Sequence, residues 1–134
     1  MQGRYKENSM TILIVEDDAD IRELMKIFLE ADGYRVNLAA DGLDAFEELQ
    51  SGPRPALILL DLMMPRMDGE QFMKQMRGSR YADIPVVIMS GHSAAEKKAG
   101  ELNAAFCLLK PVEVDDLLKT VRQFALSSVN NDVA

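Results

Sequence analysis

Four short apolar runs in this chain each end in a residue that can do chemistry. Glu16-Asp17-Asp18 follows TILIV, Asp61 closes ALILLD, Ser90-Gly91 closes PVVIMSG, and Lys110-Pro111 follows FCLL. Taken singly, each has a plain structural use. Acids after a strand complement the positive end of the next helix, an aspartate caps a helix, and a lysine at the edge of a buried strand reaches out to water. Serine at a strand end is common and says little alone. Taken together, an acid pair, a further acid, a hydroxyl and an ammonium are the parts of phosphoryl transfer: a carboxylate nucleophile, oxygen ligands for a cation, and donors for the transferred oxygens.

Whether these parts meet depends on the elements that carry them. Apolar runs alternate with segments of helical period. Thr11 to Val15, Tyr34 to Leu38, Ala56 to Asp61, Pro85 to Ser90 and Ala105 to Leu109 read as strands, the first and third apolar on both faces as in a sheet covered on both sides. Helices are expected over 20–30, 41–50, 69–77 and 93–102, with a last one after the fifth strand. The first places Ile21, Leu24, Met25 and Phe28 on one face, and the last places Val114, Leu117, Leu118, Val121 and Phe124 on another. Asp41 is placed to cap the second helix, and Ser93-Ala94-Ala95-Glu96 forms a capping box for the fourth. Gly33 stops the first helix, Gly52-Pro53-Arg54-Pro55 is loop punctuation, and Met64-Pro65 with Asp68-Gly69 marks the loop after the third strand.

Five strands alternating with five helices predict an α/β fold, a doubly wound parallel sheet with an order such as 2-1-3-4-5. Ligands of such sheets bind beyond the carboxyl ends of the strands, where the strand order reverses. In a 2-1-3 order the first and third strands are neighbours about 4.8 Å apart, so Asp17 and Asp61 converge. Carboxylates that close repel, and one takes up a proton unless a cation joins them. A hard divalent ion such as Mg²⁺, bound through one or two carboxylates and several waters, resolves the conflict. Lys110 lies on the same rim, able to pair with a carboxylate or a phosphoryl group. Pro111 holds it in extended geometry, and an X-Pro bond can be cis in a tight turn.

The composition excludes several other classes. The chain has 134 residues, about one domain, with 48% hydrophobic and 28% charged residues, which is ordinary for a folded protein. Its formal charge is 15 − 22 = −7, a poor basis for binding a nucleic-acid backbone. One cysteine, Cys107, forms no intrachain disulfide and favours a reducing, cytoplasmic setting. The N-terminal MQGRYKENSM has no apolar core for a signal peptide, and no apolar run approaches the ~20 residues of a membrane span. The single histidine, His92, leaves little for a histidine-based dyad or zinc site and is expected at the surface near the site rim. Nine methionines, Met63, Met64 and Met67 among them, read as core or loop filler. Cys107, in an apolar strand, reads as an inert buried thiol.

The motifs ILIVEDD, LILLDLMMPRMDG, PVVIMSGHS and LLKPV, in this order and spacing, resemble those of the receiver domains of two-component response regulators, in particular the single-domain, chemotaxis-regulator-like members. The resemblance runs from about Thr11 to Leu126. It implies the flavodoxin-like receiver fold over 11–127, with an N-terminal extension over 1–10 and a polar, frayed tail over 128–134. It implies that Asp61 is the phosphoacceptor, that Glu16 and Asp17 are the acidic pair, and that Mg²⁺ is held by Asp17, Asp61 and the backbone carbonyl of Met63, with Mn²⁺ able to substitute. Ser90 matches the Thr/Ser position, and Lys110 the lysine that contacts the phosphoryl group. The implied partners are a sensor histidine kinase or histidine phosphotransfer protein upstream and, through the face of the fourth and fifth strands and helices, a downstream protein. Neither nucleic acid nor membrane is an expected partner. With few residues after Leu126, the output is expected to be a partner protein rather than a domain of this chain. The implied catalysis is limited to the domain's own phosphorylation and dephosphorylation.

One position departs from the family pattern. Three residues before Lys110, where an aromatic switch residue is usual, stands Cys107, with Phe106 one place earlier. Competing readings come from other classes. An aspartate-nucleophile phosphatase of the haloacid dehalogenase type places a second aspartate two residues after the first, where this chain has Met63. A flavodoxin-like cofactor binder wants a Ser/Thr/Gly-rich loop where Glu16-Asp17-Asp18 would repel phosphate. A receiver that signals without phosphorylation stays open, although every motif residue it usually lacks is present.

Overall fold

Strand β1, Thr11–Val15, is buried at every residue. This is a computed structural model, and it describes residues 10–64, 66–91 and 95–133. Around β1 lie β2 (Arg35–Ala39), β3 (Leu57–Asp61), β4 (Val86–Ser90) and β5 (Phe106–Leu109) in the order β2-β1-β3-β4-β5, with every pairing parallel. The helices are α1 (Ala19–Ala31), α2 (Gly42–Ser51), α3 (Gly69–Arg77), α4 (Ala95–Glu101) and α5 (Val114–Val133). The expected strand order, alternation and element count are those observed. The N-terminal extension, Pro65, His92 and the Ser93 cap lie outside the described residues.

Strand alternation divides the core in two. Leu13, Val15, Ile58, Leu60 and Ile88 face the helices α2, α3 and α4, packing on Leu49, Phe72, Met76 and Leu102. Ile12, Ile14, Leu57, Leu59, Val87 and Met89 face α1 and α5, packing on Met25, Leu29, Leu117 and Val121. Burial on both faces is why β1, β3 and β4 read as unbroken apolar runs. Each fully buried Ile or Leu here contributes about 1.5–3 kcal/mol of transfer free energy.

The helix ends follow local hydrogen-bonding chemistry. Asp18 caps α1 by accepting from the amides of Asp20 and Ile21, and Asp41 caps α2 through the amide of Asp44. Asp68 and Gln71 form a reciprocal capping box on α3. Gly33 takes φ 98° just beyond α1, a left-handed conformation that glycine adopts without a Cβ penalty.

The expected face of α1 is covered only in part, and the expectation for the tail is corrected. The buried side of α1 is Met25 and Leu29, while Ile21 and Leu24 are 36% and 53% exposed. The stripe is where the period put it, but only the residues that lean onto Ile12 and Ile14 are covered, and its outer edge borders an apolar groove of about 430 Å³ shared with Val112, Val114 and Leu117. The tail also differs, since α5 continues to Val133. No glycine or proline interrupts residues 114–133, so the helix propagates through the polar segment at one backbone hydrogen bond per residue. Among the described residues, no helix is long and apolar enough to cross a membrane.

Candidate functional site

The parallel register fixes which residues emerge together at the carboxyl edge of the sheet. Val15 pairs with Leu60, so Glu16 and Asp61 follow side by side, and Asp61 in turn pairs with Met89, next to Ser90. Ser90 pairs with Leu109, one residue before Lys110, and the amide of Lys110 donates to the Ser90 carbonyl at 3.0 Å. The sheet thus brings all four expected rim positions to one place.

Oxygen atoms of Glu16, Asp17 and Asp61 lie within 4.8 Å of one another. Glu16 is wholly buried, Asp61 is buried, and Asp17 is exposed. The Lys110 ammonium enters this group, 2.5 Å from Glu16 Oε1 and 3.4 Å from Asp61 Oδ2. The other Glu16 oxygen accepts from the Asp18 amide at 3.1 Å, so both oxygens of this buried acid are engaged. The Asp61 Oδ1 atom accepts from the Met63 amide at 3.2 Å. The Met63 side chain itself is exposed on the rim of the site. The Lys110–Pro111 peptide is cis, as the sequence allowed.

The electrostatics follow from this crowding. Burial and the neighbouring Glu16 charge push the Asp61 pKa up to about 7, against the opposing pull of the Met63 amide and Lys110. Burial opposes the charge on Lys110, but hydrogen bonding to Glu16 and the Asp61 charge outweigh it, and its pKa rises above the ordinary lysine value. Three carboxylates facing one ammonium leave an excess of negative charge with hard oxygen donors on several sides. That donor set fits a small divalent cation such as Mg²⁺.

Cys107 and Phe106, three and four residues before Lys110, are placed by strand alternation. Cys107 is half-buried and packs on the α2–α3–α4 side, where burial and then the charge of Glu96 raise its thiol pKa. Phe106 faces the other side, its ring 5.8 Å from that of Phe124 on α5. The side chain on the α4 side of β5 three residues before Lys110 is therefore a thiol, and Phe106 does not occupy that place. The thiol is less buried than its apolar strand suggested.

Two residues near the site escaped the sequence reading. Arg22, one turn into α1, donates to the backbone carbonyl of Glu16 at 2.7 Å and so anchors the start of the acidic loop. Arg66 in the β3–α3 loop pairs with Asp41 and Asp44 across 25 and 22 residues. Period and spacing carry no signal for either contact, because both depend on where loops meet in space.

Comparison with known proteins accords with the geometry. Residues 12–122 match the family model of the response regulator receiver domain. The response regulator MprA of Mycobacterium tuberculosis is 34% identical over 128 residues, covering 94% of this chain and 55% of MprA. The chain thus spans about half the length of the curated relatives it matches. Among solved structures, the chemotaxis response regulator CheY4 of Vibrio cholerae is 31% identical with a TM-score of 0.80, covering 87% of this chain and 99% of that one. A putative response regulator from Chloroflexus aurantiacus is 27% identical with a TM-score of 0.82, covering 89% and 99%. A parallel sheet in the order β2-β1-β3-β4-β5, an acidic rim and a match over most of its length make this chain a member of the response regulator receiver-domain family, the signalling module of two-component systems.

Proposed function

We propose that this receiver takes a phosphoryl group from a phosphohistidine donor onto Asp61 and signals the change to a partner protein. The observation that carries the reading is Asp61 itself. It is a buried carboxylate at the end of β3, within 4.8 Å of the Glu16 and Asp17 oxygens and 3.4 Å from the Lys110 ammonium.

An Asp61 oxygen attacks the phosphorus of the donor, the phosphorus–nitrogen bond breaks, and the donor imidazole leaves with the electron pair and takes up a proton. Asp17, Asp61 and the Met63 backbone carbonyl hold Mg²⁺ or Mn²⁺, with Glu16 completing the acidic cluster. When bound, the ion offsets the carboxylate charge and the charge on the transferred oxygens. Lys110 turns from its carboxylate partners toward the phosphoryl group, and the Ser90 hydroxyl donates to a second phosphoryl oxygen. Attack of water on the phosphorus later returns Asp61 and releases inorganic phosphate. The domain acts on its own acceptor alone. The surface offered to a downstream partner is the β4–α4–β5–α5 face, where Phe106 and Leu109 are 47% and 52% exposed. The donor is a sensor kinase or a phosphotransfer protein, and the setting is cytoplasmic.

The test is incubation with a small acyl phosphate and Mg²⁺, followed by intact-mass measurement. The expected result is a gain of one phosphoryl group that hydroxylamine removes and that neither EDTA-treated protein nor Asp61→Asn acquires. Uptake by Asp61→Asn at the rate of the unmodified chain, mapped to another residue, would overturn the assignment.

A further inference from the structure

The loop between β3 and α3 carries Met63, and it is held at two places. At its base, the Gly69 amide donates to the Leu62 carbonyl at 3.1 Å, and Gly69 lies so close to the Asp61 carbonyl that a Cβ there would come within 2.7 Å of it. Farther along, the chain is fastened to a different part of the rim, the segment that follows β2. Arg66 donates from Nε to Asp41 Oδ2 at 2.5 Å and from Nη2 to Asp41 Oδ1 at 3.1 Å, and the same Nη2 reaches Asp44 Oδ1 at 2.9 Å. The next residue repeats the attachment, since the Met67 carbonyl accepts from the Gly42 amide at 3.0 Å.

Two details set this contact apart from an ordinary surface ion pair. The Asp41 side chain is only 3% exposed, and although burial opposes its charge, Arg66 and the capping amides hold its pKa below the ordinary carboxylate value. Arg66 also has a φ of 58°, the left-handed region that a residue with a Cβ adopts only when its surroundings impose it. A two-pronged guanidinium grip on a carboxylate fixes direction as well as distance.

Resting on the reading of Asp61 and Met63 given above, we propose that Arg66 is a positioning residue for the cation site. Its clamp on Asp41 and Asp44 sets the path of the β3–α3 loop and thereby the aim of the Met63 carbonyl. It acts through the backbone and touches neither Asp61 nor the ion. Residues that orient a metal's ligands from outside commonly govern affinity about as strongly as a weak ligand does.

The experiment measures the Mg²⁺ dissociation constant by calorimetry, without phosphodonor, for the full chain and for Arg66→Ala, Arg66→Gly, Arg66→Lys and Asp61→Asn, alongside melting temperatures in EDTA. Removing the clamp should weaken Mg²⁺ binding about tenfold in both Arg66→Ala and Arg66→Gly. Arg66→Lys, which keeps the charge and loses the fork, should fall between them and the unmodified chain, and it carries the test if Arg66→Ala does not fold. Glycine relieves the left-handed backbone, so full affinity in Arg66→Gly with loss in Arg66→Ala would overturn the clamp. A lowered melting temperature with unchanged Mg²⁺ affinity would overturn it too, as a purely structural role. The Asp61→Asn arm separates the two readings. If it loses affinity while the Arg66 variants keep theirs, only the clamp fails. If Asp61→Asn also binds as the unmodified chain does, the cation site itself is wrongly placed.

Discussion

The Lys110 ammonium sits 2.5 Å from Oε1 of Glu16, a carboxylate with no solvent exposure at all. A buried acid of this kind needs a compensating charge, and the nearest one comes from the far end of the sheet. Removing one partner of such a pair leaves the other buried and uncompensated, which costs more than the pair contributes. Lys110→Met should therefore destabilise the metal-free fold by about 2–4 kcal/mol near neutral pH. Chemical denaturation of both proteins in EDTA measures this, and an effect below about 0.5 kcal/mol would mean that Glu16 finds compensation elsewhere.

Asp61 gives the metal-free protein a pH dependence, with the opposite consequence for an acid from the usual one. Its folded pKa is raised from 3.8 to about 7, chiefly by burial and by Glu16. The stabilising contribution is present in full below the unfolded value and is lost as pH rises through about 7, because the folded state then gives up a proton it holds favourably. In EDTA, the stability of the unmodified chain relative to Asp61→Asn should fall between about pH 4 and pH 8, by on the order of 2 kcal/mol, roughly half of the full linkage value because solvent screens the site. A difference that stays flat across that range would show that Asp61 is not held protonated by its surroundings.

Adding Mg²⁺ should reverse that loss. At about ten times its dissociation constant, a ligand specific to the folded state stabilises by about 1.4 kcal/mol. Asp17 is exposed and lies in the carboxylate cluster, so Asp17→Asn should fold normally and lose most of the Mg²⁺-dependent rise in melting temperature. Equal rises in the two proteins would remove Asp17 from the ligand set.

Coupling to a partner is expected to run through the end of β4. Ser90 is buried beside Asp61's strand neighbour Met89, and Gly91 follows it, with Lys110 Cβ, at 3.8 Å from where its own Cβ would lie, the one close atom among the described residues beyond its chain neighbours. Cys107 is small and half-buried, unable to sweep the volume of a ring. Ser90→Ala should remove roughly 1–3 kcal/mol of the affinity gain that beryllofluoride confers on partner binding, while Cys107→Ala should keep most of it. Equal losses in the two variants would make Cys107 part of the switch.

The elements of the fold were legible where one principle decided them. β1 and β3 read as buried strands because both faces are apolar, and α3 begins at Gly69, where the Asp68-Gly69 loop signal placed its start. The rim followed from topology, since parallel register alone carries Asp61 beside Glu16. What the sequence withheld depends on angles and on distant loops. A helical period locates the stripe Ile21, Leu24, Met25, Phe28 but not how far α1 rolls onto the sheet, which is why Leu29 is buried and Leu24 is not. The Arg66 clamp joins residues 22 and 25 apart through an unusual backbone angle, and no pattern of neighbours announces it.

The pairing of Glu16 with Lys110 spans 94 residues, and this sets an order of events during synthesis. A ribosome adding about 5–20 residues per second needs roughly 5–20 s to travel from one to the other. Until β5 arrives, β1 and β3 can pair and their apolar faces can be covered, but the acid that follows β1 has no ammonium to meet. Loop-closure entropy grows only slowly with length, so the delay comes from synthesis itself: β5 can dock beside β4 only once it has been made. The nascent chain therefore keeps Glu16 hydrated and the rim open, and the acidic cluster acquires its final spacing only when the last strand docks.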